Sequence, residues 1–129
     1  MNALYVRTTK YPLQVVQARL EKIVAAHRFG ILGIIDLKEK MLSKGIQLKP
    51  NCRIYEVCQP AKAKQALDRN MSIATALPCR IAVYEDGGTL NVAAMLPSQI
   101  LQMFDAPDLS ALGQEMDKEI TAIVDETVV

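Results

Sequence analysis

The chain reads as an α+β fold, a mainly antiparallel sheet with two long helices packed on one face. Three features predict it: short segments of period-two alternation, two long stretches with apolar residues at helical spacing, and an Asp-Gly-Gly turn between two alternating segments. With 129 residues, 50% of them hydrophobic, the chain can bury a core without cross-links, and residues 1–129 are expected to form a single domain.

Leu4, Val6 and Thr8 alternate with Tyr5 and Arg7, giving a first strand that stops before Pro12. Pro12 suits a first helical turn, and Leu13, Val16, Leu20, Ile23, Val24 and His27 then follow a helical stripe. Gly30, free to adopt a left-handed conformation, is expected to end this helix. Ile31 to Ile35 is a short apolar run suited to a buried strand. Asp36, with Glu39 three residues on, has the form of a capping box for a short helix from Leu37 to Lys44, closed by Gly45.

From Asn51 to Gln59 the alternation returns. Cys52, Ile54, Glu56 and Cys58 share one face and Arg53, Tyr55 and Val57 the other, and periodicity leaves open which is buried. Pro60 opens a short helix rich in alanine that finishes near Arg69 and Asn70. Arg80 to Glu85 and Leu90 to Met95 flank Asp86-Gly87-Gly88-Thr89, a hairpin turn. Pro97 starts a short helix ending near Phe104, and after Pro107 the stripe Leu109, Leu112, Met116, Ile120, Ile123 and Val124 marks a terminal helix.

Taken in order, Phe29-Gly30-Ile31-Leu32 leading to Asp36-Leu37, then Glu56-Val57-Cys58-Gln59-Pro60-Ala61-Lys62-Ala63, then Leu77-Pro78-Cys79-Arg80-Ile81-Ala82-Val83-Tyr84-Glu85, resemble the bacterial and archaeal family catalogued as domain of unknown function 302. The resemblance covers residues 3–96, and the terminal helix, 108–125, matches in general character. It implies a β-α-β(4)-α arrangement similar to the TATA-box-binding-protein-like architecture, often homodimeric, and brings no established activity or cofactor. Gln59 stands where the family commonly has Asn, a longer amide at a position suited to a cap or ligand contact.

The formal charge of +1, from 15 basic and 14 acidic side chains, supplies no field for nucleic acid or anionic lipid. The basic stretches Lys38, Lys40, Lys44, Lys49 and Lys62, Lys64, Arg69 lack the interleaved aromatics of a nucleic-acid platform. No basic leader runs into an apolar stretch, and the apolar run from Phe29 to Ile35 is too short for a bilayer, so a cytoplasmic location is expected, with Cys52, Cys58 and Cys79 reduced.

Cys58 is the leading candidate for chemistry. It ends a strand just before Pro60, where free backbone N–H groups and the helix dipole would favour a thiolate. The alternative is a small buried side chain under a strand-to-helix turn. If the cysteine strands run antiparallel, Cys79 lies near Cys58, and with Gln59 the two define a candidate binding site. Adding His27 gives a weaker candidate set for zinc or copper(I), without short Cys-x-x-Cys spacing. His27 itself, on the apolar stripe, is expected to be structural, and Asp117, Glu119, Asp125 and Glu126 are expected to form a solvated face of the terminal helix.

Three functions compete. The first is a binding module receiving a soft ligand (sulfane sulfur, a thiol or a transition metal) at Cys58 and Cys79. The second is a homodimeric interaction module whose cysteines fill the core. The third is a thiol-dependent enzyme with Glu56 or His27 as base, although nucleotide-loop, zinc-protease and serine-elbow motifs are missing.

Overall fold

The structure, a computed structural model, describes residues 2–129. Five strands, β1 (Leu4–Thr9), β2 (Gly30–Asp36), β3 (Cys52–Cys58), β4 (Cys79–Asp86) and β5 (Thr89–Met95), form one sheet in the order β1-β5-β4-β3-β2, every neighbouring pair antiparallel. The helices are α1 (Leu13–Ala26), α2 (Leu37–Leu42), α3 (Pro60–Arg69), α4 (Pro97–Leu101) and α5 (Ser110–Val128). This is the β-α-β(4)-α order, with short helices inserted between the strands.

Both long helices lie on one face. Val16, Leu20 and Val24 of α1 and Ile120, Ile123 and Val124 of α5 pack on Tyr55, Val57, Ile81, Val83, Leu90, Val92 and Ala94. The ambiguity in β3 is thereby resolved: Tyr55 and Val57 are buried, and Cys52, Ile54, Glu56 and Cys58 take the opposite face by alternation. A second cluster, built from Ala66, Ile73, Leu101, Ala106, Leu109, Leu112 and Met116, joins α3, α4 and the start of α5.

Helix ends depart from expectation in α1, in α2, which stops at Leu42 instead of Lys44, and in α4. Helix α1 closes on Arg28, which adopts φ 63°, while Gly30 already begins β2. The Phe29 N–H reaches the Val24 carbonyl and the Arg28 N–H the Ala25 carbonyl, each at 3.0 Å, forming a Schellman motif in which buried Phe29 and Val24 belong to the same core. Helix α4 stops at Leu101 instead of Phe104, and the unassigned stretch after α3 forms a 3-10 helix, Met71–Ala76. The Asp36 cap appears as expected, accepting the Glu39 N–H at 3.0 Å.

Candidate functional site

The register pairs Val57 with Cys79 and Gly30 with Cys58, so the backbones of the two cysteines are diagonal neighbours, about 6 Å apart from strand spacing and rise. Alternation then separates their side chains. Cys79 shares its face with Ile81 and packs against both core clusters, whereas Cys58 shares its face with Glu56 and belongs to neither. The two cysteines stand at the same end of the sheet with their thiols on opposite faces.

Nor is the Cys58 thiol primed. Burial alone pushes it up from its ordinary value, the reverse of the depression expected beside a helix start. Gln59 serves the helix instead: its side-chain Oε1 accepts the Lys62 N–H at 2.8 Å and caps α3. Burial pushes Cys79 up to about 11, with Cys58 and Asp117 acting in the same direction, and burial followed by the Asp36 charge raises Cys52. All three cysteines are free.

His27 is committed elsewhere. Nδ1 lies 2.9 Å from Glu119 Oε2 and Nε2 2.8 Å from Glu126 Oε2, and a carboxylate on each ring nitrogen is satisfied only by the doubly protonated ring. Among the described residues no group of three or more His, Cys, Asp or Glu side chains is placed to hold a metal ion. The set Cys58, Cys79 and His27 therefore forms no such centre. Glu56 lies on the Cys58 face, but its carboxylate is turned toward Arg80, at 4.0 Å, and the Gly33 backbone.

The acids of α5 are a correction to the solvated face expected of them. Besides the two glutamates on His27, Asp125 accepts the Tyr5 hydroxyl and Arg7 Nη1, both at 2.6 Å, tying α5 to β1. Asp117 accepts the Ser98 N–H at 2.9 Å and its hydroxyl at 2.5 Å, capping α4 from another helix because Leu96, at the cap position, has no acceptor side chain. A helical stripe reveals which acids are polar-facing; it cannot reveal what packs there.

The feature that strand-by-strand reading missed lies on the sheet face opposite α1 and α5. Pairing aligns Val6 with Ala93, Ala93 with Ala82, Ala82 with Ile54 and Ile54 with Ile35, an unbroken apolar row across five strands. Leu4 and Met95, paired beside it, are 45% and 47% exposed, and Val6 is 39% exposed. Arg80 pairs with Glu56 on one side of the row, and the Thr8, Asn91, Tyr84, Cys52 row borders the other. Cys58 and Cys52 thus sit at the two ends of β3 on this face. Each strand shows one member of the row, but no single strand shows that they align.

The profile of the family described as Domain of unknown function DUF302 matches residues 5–127, extending the region of likeness beyond residue 96 through the terminal helix. A crystal structure of an uncharacterized conserved DUF302 protein from Bacillus stearothermophilus is similar with a TM-score of 0.93 and 26% identity, over 98% of this chain and 99% of that one. No curated protein matches the chain.

Proposed function

The chain belongs to the family described as domain of unknown function DUF302, and we propose that it acts as a homodimeric interaction module pairing through the sheet face that α1 and α5 leave uncovered. The observation carrying this reading is the five-strand apolar row Val6, Ala93, Ala82, Ile54, Ile35, in which Val6 is exposed, Ala82, Ile54 and Ile35 are half-buried and Ala93 is buried, with exposed Leu4 and Met95 beside it. An apolar centre with polar side chains at its margins is the composition of an interface.

A second copy suits this face for two reasons. Among its described strand residues it carries the cation Arg80 and the anions Glu56 and Asp86, so it offers charges of both signs to a copy related by a two-fold axis. The net charge of +1 opposes self-association only weakly. Strand spacing and rise give a face of roughly 24 by 20 Å, so two copies would bury on the order of 1,000 Å², the lower end of a specific interface and suited to a reversible pair.

The soft-ligand reading is weakened because the thiols of Cys58 and Cys79 lie on opposite faces and are both pushed up. Among the described residues no helix is long and apolar enough to cross a membrane, and three free cysteines suit a reducing cytoplasm.

Native mass spectrometry and sedimentation across a concentration series test the proposal, with Val6→Glu as the perturbing variant. A dimer of unadorned mass is expected, shifted toward monomer by Val6→Glu, with Cys52 and Cys58 alkylating more slowly as dimer forms. A monomer at every concentration, or a dimer indifferent to Val6→Glu, overturns it. A metal or persulfide mass carried on Cys58 would return the soft-ligand reading to first place.

A further inference from the structure

The half-open cavity between α4, the following turn and the start of α5 lies apart from the sheet face and has a volume of about 530 Å³, within the size range of small-molecule sites. Leu101, Phe104 and Leu109 give it an apolar floor, and the first and last of these are buried members of the second core cluster. Gln114, Asp105 and Asp117 stand in its walls, and among the described residues no Lys, Arg or His lines it.

We infer that this cavity is a site for a small organic amine with an apolar body. The charge distribution carries the choice. Two carboxylates without a lining cation favour an ammonium group over phosphates and carboxylic acids, since two full negative charges outweigh the partial positive charge of the α5 start at Leu109 and Ser110. The apolar floor removes hydrocarbon from water, and the Gln114 amide adds a donor and an acceptor. Asp117 is held by Ser98 through one hydrogen bond to each oxygen, which leaves each oxygen a further lone pair and fixes the carboxylate in the wall.

The Gly113 contact holds the cavity's shape. A Cβ there would stand 2.9 Å from the Ser98 Cα, so α4 and α5 approach as closely as backbones allow, which presets the wall.

The test is an amide-resolved NMR titration of the full chain with phenethylamine, and in parallel with 3-phenylpropionate, the acid of similar size. Phenethylamine is expected to shift amides of α4, the turn and the first half of α5, and phenylpropionate to leave them unmoved. Asp105→Asn, at an exposed position, should weaken amine binding roughly two- to fivefold. Gln114→Trp, also exposed, should fill the groove and abolish binding while the remaining spectrum stays folded. Equal binding of amine and acid, amine binding unchanged in both variants, or no shifts at millimolar amine would each overturn the inference.

Discussion

Raising the pH through the titration of His27 should loosen the seam between α1 and α5. The ring is 20% exposed and lies between Glu119 and Glu126, whose side chains are 36% and 51% exposed. Burial is the largest single influence and opposes the charge, but the hydrogen bonds and attraction of the two glutamates together outweigh it, so the pKa is raised above 6.5. A raised folded-state pKa fixes the sign. The imidazolium contributes its full stabilisation below pH 6.5, and the contribution is lost as the pH climbs from there through the folded-state value.

Discounted for solvent screening, two half-exposed ion pairs amount to about 1 to 2 kcal/mol, with Glu119, the less exposed partner, carrying the larger share. His27 is the one histidine in the sequence, so a single ring C–H resonance followed against pH reports its titration without assignment. Urea melts between about pH 6 and pH 8.5 report the energy. Stability should fall across that interval, His27→Gln should flatten the fall, and Glu119→Gln and Glu126→Gln should each lower the His27 pKa. A folded-state pKa at or below 6.5, or stability independent of pH in the wild type, would refute the reasoning.

Two further outcomes follow from packing and burial. Gly113→Ala should destabilise by about 1 to 3 kcal/mol in chemical denaturation, because the added methyl meets the Ser98 backbone at 2.9 Å and α4 must move away from Asp117; an unchanged midpoint would mean the helices separate freely. Cys79, held near 11 against an ordinary 9.0, should carry about a hundredfold less thiolate than an unperturbed cysteine and react slowest of the three with iodoacetamide, which mass mapping of a time course reads directly; Cys79 labelling ahead of Cys58 would contradict its burial.

Much of the candidate site's scaffold was legible because its determinants are local. Alternation around Val6 and Ile54, Pro60 at a helix start and the Asp86-Gly87-Gly88 turn each express a preference of a few consecutive residues. The Asp36 cap was readable for the same reason. The end of α1 falls before Gly30 because a Schellman motif needs one left-handed residue, and buried Phe29 against Val24 holds Arg28 there although Gly30 is nearby. The Cys58 environment lies beyond local sequence because burial, set by the whole sheet, pushes the thiol up where a helix start alone would lower it.

The order and kind of the elements and the inward stripes of α1 and α5 are written locally in the chain, since hydrophobic periodicity and turn chemistry act over a few residues. Tertiary structure alone decided the partners. It set His27 between two glutamates nearly a hundred residues away, Asp117 on Ser98, the two neighbouring cysteines on opposite faces, and five separate apolar side chains in one row. The physical reason is that strand register and helix docking are fixed by the packing of the whole core, and a one-residue slip in any strand would turn its member of the row to the other face.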